Sequence, residues 1–372
     1  MGDHTPIEWV RALAEKRNAI PATWNPIDGC SRATAGCRLC YAAQLVHVRL
    51  SKSIPGRYAG LTELDAQNVP RFNGVVRLAE HVLDAPKKAR RPRVYFVCDM
   101  ADLFHPNVPW DWLDRIFATM AATPQHTYLL LTKRPDVLMA YAGLAVQCGE
   151  HWLAGQAVAQ AVRWPLPNVW IGTTVTDQKD AAANIPLLLS TPAVMRFISA
   201  EPLLGPVDLT AIQRPFDDCL IQYDALDGRW HEVDGFSAGY GMERINWVIA
   251  GGESGGSDRP AHPDWFRSLR DQCTAVGVPF LFKQWGEFRE FDTGGPDVET
   301  VEADDQFSIP VGYHPCELGA IKPHFVTPDG RCFQHFHDIP EGTPARLMER
   351  AGKKAAGRVL DGRTWDQVPE VA

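Results

Sequence analysis

Short apolar runs rich in β-branched and aromatic residues recur along the chain. The clear ones are VYFVCD (94–99), TYLLLTK (127–133), VWIGTTV (169–175), MRFISAEP (195–202), WVIAGGE (247–253) and PFLFKQW (279–285). They are continuous rather than alternating, which predicts strands buried on both faces. Two weaker runs precede them, ATWNP (22–26) and GVVRLAE (74–80). Helical patterns lie between the runs. Residues 110–122 put Trp112, Ile116 and Phe117 on one face, with Met120 a turn further. Residues 177–190 open on Asp177 and contain a Pro that predicts a kink or a late start. Residues 262–276 carry a Pro near their start, then Trp265, Phe266 and Leu269, and Gly277 follows as a stop signal.

Strand–helix alternation of this kind predicts an α/β fold with a parallel sheet and right-handed crossovers. Six to eight units in one chain favour a partial or complete (β/α) barrel over a doubly wound sheet. The barrel is expected over 1–285. Residues 207–244, polar and Gly-containing, read as an insertion in it. Residues 286–372 read as a small, irregular or β-rich C-terminal extension, with TPDG a turn and the polar tail GRVLDGRTWDQVPE capping the surface.

In parallel barrels the reactive groups sit at the C-terminal ends of the strands. Here each clear run ends in polar residues. The first ends at Asp99, with Asp102 and His105 beyond. The others end at Thr132-Lys133-Arg134, at Thr173-Thr174, at Ser199 and Glu201, at Gly251-Gly252-Glu253-Ser254, and at Lys283-Gln284. Polar residues also mark where strands stop, so any one of them is weak as a signal. The set is stronger, because Glu201, Glu253 and Lys283 follow directly on buried runs.

The weak strand at 22–26 leads into CSRATAGCRLCYA (30–42), where Cys30, Cys37 and Cys40 fall within eleven residues and no fourth thiol joins them. Three thiolates on a loop at the barrel mouth suit a [4Fe–4S] cluster with one iron left open. Zinc, held by these thiols and His47, is the rival reading. Redox or structural thiols are the third. The other six cysteines are scattered singly and read as small buried hydrophobes. No secretory h-region and no apolar run long enough to span a bilayer is visible, so the expected location is cytoplasmic, with reduced thiols and no membrane partner.

The stretches TWNPIDGC…GCRLCYA, FVCDMADLFHPNVP, LLLTKRP, NVWIGTTV, FISAEPLLGPVDL, WVIAGGESG and VPFLFKQWGE, spread over about residues 20–290, are similar to the phage-associated three-Cys-motif proteins, a family of unknown function. The arrangement also resembles radical S-adenosylmethionine (SAM) enzymes, in which three Cys after the first barrel strand bind the cluster. Six residues separate Cys30 from Cys37, where the common radical SAM spacing has three, and Leu39 stands where an aromatic often precedes the third Cys. The resemblance implies metal ligation by Cys30, Cys37 and Cys40, and SAM as cofactor. Gly251-Gly252-Glu253 resembles the GGE element that meets the SAM amino group, with Asp99 and Asp102 as rivals for that role. Ser199 and Glu201 suit the ribose hydroxyls, and Lys283 a phosphate or carboxylate. An electron donor such as flavodoxin or ferredoxin is implied.

Phage context implies a nucleic-acid base as substrate, through DNA modification or repair. Lys133, Arg134 and Lys283 would then bind substrate, and the run KKARRPR (87–93) adds local positive charge. The formal net charge of −8 argues against a generally basic surface. Two alternatives stand beside this reading: a radical SAM enzyme on a small metabolite or peptide, and a non-catalytic zinc or Fe–S protein that binds nucleic acid.

Overall fold

The computed structural model describes residues 2–153, 156, 162–216, 219–235, 237–291, 324–335 and 338–370. The main sheet contains β1 (Gly2–Asp3), β2 (Ile20–Trp24), β3 (Arg93–Val97), β4 (Thr127–Thr132), β5 (Val169–Thr174), β6 (Arg196–Ala200), β7 (Trp247–Gly251) and β8 (Phe280–Gln284). They lie side by side in chain order. β1 is antiparallel to β2, and the other seven form a parallel sheet curled into a half-barrel. The expected α/β class and partial barrel are therefore present.

Strands in chain order with right-handed crossovers put the connecting helices on one side of the curl. These are α2 (Trp110–Ala121), α3 (Pro135–Cys148), α4 (Gln178–Ser190) and α5 (Pro263–Val276). Their apolar faces pack on Tyr95, Val97, Leu130, Ile171, Ile198, Val248 and Phe282. The alternate residues face the other way. Val94, Leu129, Trp170, Phe197, Trp247, Ile249 and Leu281 pack on Trp9, Val10, Leu13 and Ala14 of α1 (Glu8–Lys16). Burial on both faces explains why these strands read as continuous apolar runs.

Asp177 caps α4 by accepting a hydrogen bond from the Asp180 N–H at 2.8 Å. Gly277 ends α5 in the left-handed region, with φ 72°. Two expectations need correction. Residues 74–80 add no strand to the main sheet. Only Arg77–Leu78 is extended, paired antiparallel with Ile27–Asp28, and Glu80–Leu83 is helical. The cause is the shortness of the run: Gly74 turns at φ 89°, and Val75 faces solvent. Of the kink or late start expected at Pro186, the late start is absent, since α4 begins at Gln178 and runs through it.

Within the insertion, Ile212–Phe216, Cys219–Tyr223, Trp230–Glu232 and Ala238–Gly239 form an antiparallel sheet. After β8, Phe288–Glu290, His324–Val326, Cys332–Phe333 and Arg346–Arg350 form another, and residues 292–323 of the expected extension lie outside the described residues. TPDG does turn, the Gly330 N–H donating to the Thr327 carbonyl at 2.9 Å. Phe288, Val326, Met348 and Leu360 belong to the same apolar core as the helices. The tail returns to β8. The Phe282 N–H donates to the Trp365 carbonyl at 2.9 Å, and the Trp247 indole to the Gln367 carbonyl at 2.9 Å. The β8 edge of the half-barrel is thereby covered, which blocks edge-to-edge pairing there.

Candidate functional site

The mouth of the half-barrel is the C-terminal end of the parallel strands, and the cysteine loop crosses it. Gly29 sits at φ 92° with room for no side chain, since a Cβ there would lie 2.0 Å from the Val75 carbonyl oxygen. The chain then turns over the strand ends. At one side the Arg134 guanidinium donates to the Ser31 carbonyl at 2.8 Å and to its hydroxyl at 3.0 Å. The same hydroxyl meets His105 Nε2 at 2.8 Å. At the other side Gly36 lies against the loops after β5 and β6, where a Cβ would be 2.8 Å from Thr176 Cγ2 and 3.2 Å from Pro202 Cδ. Arg259 donates to the Ala35 carbonyl at 3.3 Å, and Arg38 pairs with Asp258. The loop is therefore tied to the mouth at both ends.

This seating brings Cys30, Cys37 and Cys40 into one electrostatic neighbourhood. All three are free thiols. Burial pushes the Cys30 thiol up to about 12, Asp102 adds to the rise, and Arg134, whose Nη1 lies 3.8 Å from its Sγ, opposes it. Burial raises Cys40 as well, with Cys37 contributing. Among the described residues no three His, Cys, Asp or Glu side chains surround a position for a metal ion. His47 does not join the thiols. Its Nδ1 meets the Thr62 hydroxyl at 3.2 Å. The fit to a metal centre lies in the donor set, three thiols on one loop that are free of disulfides. Ligation would displace their protons.

Asp102 is the hub beneath the loop. It accepts from the Thr132 hydroxyl at 2.7 Å, the Lys133 N–H at 3.1 Å, the Phe104 N–H at 3.1 Å and Arg134 Nη1 at 2.9 Å. Asp102 and Arg134 are both buried. Burial works against the Arg134 charge, yet Asp102 and then Cys30 outweigh it and hold its pKa above the usual value. Asp99 accepts from Asn25 Nδ2 at 2.6 Å, and burial raises its pKa. Its backbone carbonyl receives the Tyr41 hydroxyl.

Lys133, Ser199, Glu201, Gly251 and Lys283 share strand parity with the residues that face α1. They stand above that apolar floor. Lys283 Nζ lies 2.7 and 2.9 Å from the two Glu201 carboxylate oxygens, and Gln284 donates to one of them at 3.3 Å. Lys133 Nζ donates to the Thr174 hydroxyl at 3.1 Å. Ser199 is buried opposite Thr174 in the pairing of β5 with β6. Glu253 is turned into a different set of contacts. Arg259 grips both its oxygens, and the Ser257 hydroxyl donates to one of them. Gly252 serves close packing, for a Cβ there would lie 1.8 Å from the Trp285 carbonyl oxygen.

The residues expected of the site lie on the cysteine loop or at or just past the C-terminal ends of the parallel strands, with Glu253 turned away to Arg259 and Ser257. The basic run 87–93 is elsewhere. It precedes β3 and so lies at the opposite end of the sheet. Three contributors were missed: Ser31, Tyr41 and Arg259, which seat the loop. Thr174, one of the expected strand-end residues, holds Lys133.

A known family's sequence profile matches residues 4–369, and the chain belongs to that family, described as proteins of unknown function, DUF5131. No curated protein and no solved structure matches it. Among the described residues no helix is long and apolar enough to cross a membrane.

Proposed function

We propose that the protein is a radical SAM enzyme whose [4Fe–4S] cluster is held by Cys30, Cys37 and Cys40, acting on a nucleic-acid base. One observation carries the reading: three free thiols on a loop tied across the C-terminal ends of a curled parallel sheet. The cluster with bound SAM would supply a 5′-deoxyadenosyl radical on one-electron reduction by a flavodoxin- or ferredoxin-type donor. The chain's own residues supply the rest. Arg134 and Arg259 hold the loop in place. Ser199 and Glu201 offer hydroxyl and carboxylate groups for ribose hydroxyls, and Lys283 orients Glu201. The apolar floor of Trp9, Phe197 and Trp247 excludes water from below.

Zinc is the weaker reading. A closed zinc site takes four ligands. His47, the expected fourth, meets the Thr62 hydroxyl at 3.2 Å instead. The proposal is tested by incubating anaerobically reconstituted, reduced protein with SAM. Cleavage to 5′-deoxyadenosine is expected, slowed at least ~10-fold in Glu201→Gln, whose charge no longer matches Lys283. Absence of cleavage with an intact cluster would remove the enzymatic reading.

A further inference from the structure

Two of the three cations inside the mouth are paired with acids, Arg134 with Asp102 and Lys283 with Glu201. Lys133 bonds the neutral Thr174 hydroxyl and keeps its charge. One free cation cannot hold a run of phosphates, so a polyanionic substrate needs further grip outside the mouth. Residues 29–62 contain five cations, Arg32, Arg38, Arg49, Lys52 and Arg57, and no Asp or Glu, in a chain of net charge −8. Three of the five are satisfied: Arg32 by Asp65, Arg38 by Asp258 and Arg57 by Asp28. Arg49 and Lys52 are exposed and engage no acidic side chain among the described residues.

Both sit on the helical run that leaves Cys40. It is α-helical at Tyr41–Leu45, π-wound at Val46–Leu50 and α-helical again at Ser51–Ser53. One face, Ala42, Ala43 and Val46, packs on Tyr58, Leu61, Phe72 and Met100. The other face presents Tyr41, Leu45, Val48 and Lys52, with Arg49 beside them. Tyr41 is 52%, Leu45 37% and Val48 63% exposed. The Tyr41 ring is held at the rim by its hydroxyl bond to the Asp99 carbonyl.

The geometry points to this outer face as the docking strip for a single-stranded nucleic acid entering the mouth. Arg49 and Lys52 lie one turn apart along a line, as a linear chain of phosphates requires, and the fixed Tyr41 ring offers a stacking surface where that line meets the mouth. The acidic remainder of the molecule repels a polyanion and confines it here. The inference deepens the function proposed above. It rests on that reading for the chemistry, and the binding is measured separately.

The test is fluorescence anisotropy of a short labelled oligodeoxythymidylate with the full-length protein at about 50 and about 200 mM salt. The variants are Arg49→Glu/Lys52→Glu and, at the opposite end of the sheet, Arg90→Glu/Arg91→Glu. Thermal melting reports that each is folded. The helix double variant is expected to bind about 10-fold more weakly or worse, with the salt slope smaller by about 1.4. The far-end variant is expected to stay within about 2-fold of the parent. Equal losses in both variants, or none in the first, would overturn the inference. So would poly-glutamate competing as well as the oligonucleotide at matched charge, since that face would then be reading an acidic polypeptide. SAM cleavage is followed in parallel. Cleavage without oligonucleotide binding removes the docking strip alone, and binding localised to the helix without a cluster sustains the strip while removing the radical SAM reading.

Discussion

Replacing Arg134 by Met separates the loop's tether from its bulk. The unbranched stem is kept and the guanidinium is lost. The change strips Asp102 of its only cationic partner among the described residues and Ser31 of two donated bonds. Asp102 would remain buried beneath the loop with three neutral donors. Removing one partner of a buried pair costs about 3–5 kcal/mol, because the other charge stays behind in a poorly solvating place. At about 2.1 cal/mol/K per residue, a chain of 372 residues has an unfolding entropy near 0.8 kcal/mol/K. The expected fall in melting temperature is therefore about 4–6 °C. Asp102→Asn/Arg134→Met removes both charges, and it should be less destabilised than the two single changes added together. Because Arg134 donates twice to Ser31, Arg134→Met should also speed amide exchange along the loop. Scanning calorimetry and hydrogen exchange read the two effects. A melting shift below about 1 °C with unchanged exchange would show that water already screens the pair and that Arg134 does not hold the loop.

Gly36→Ala places a methyl against Thr176 and Pro202, so it should lift the loop, cutting bound iron by more than about half while leaving the melting temperature within about 2 °C of the parent. Full iron content in the variant would show that the loop is not seated as described. His262 caps α5 as a buried acceptor, and burial pushes its pKa from 6.5 down to about 4. The unfolded chain binds that proton first as pH falls. The stability contributed by neutral His262 is thus complete above about pH 6.5 and lost toward pH 4, up to about 3 kcal/mol. His262→Asn keeps a cap acceptor and should flatten the dependence of melting temperature on pH across that window. An unchanged slope would assign the dependence to other groups.

The sheet was legible because β5, β6 and β7 are buried along their whole length and leave unbroken apolar runs. α4 and α5 were legible through Asp177 and Gly277. α3 escaped because apolar residues surround it: Leu138 and Tyr141 are buried, while Leu144 and Val146 are exposed. α1 carries a readable stripe at Trp9, Val10, Leu13 and Ala14. In the site, the position of the cysteine loop followed from its place after β2. The partners of its charges did not. Glu201 and Lys283 are 82 residues apart, and Asp102 and Arg134 are 32 apart. Sequence displays such charges as free, and only the fold shows them spent on each other. The acid-free stretch 29–62 needed no structure to be seen, but its outward face did.

The central claim is that three thiolates of one loop hold an iron–sulfur cluster. Iron, acid-labile sulfide and zinc are measured per chain on protein purified without oxygen, with Cys30→Ala, Cys37→Ala and Cys40→Ala alongside. The account predicts about four irons and about four sulfides per chain in the parent, lost in each variant. Stoichiometric zinc without labile sulfide, or full iron retained after any one of the three changes, would contradict it.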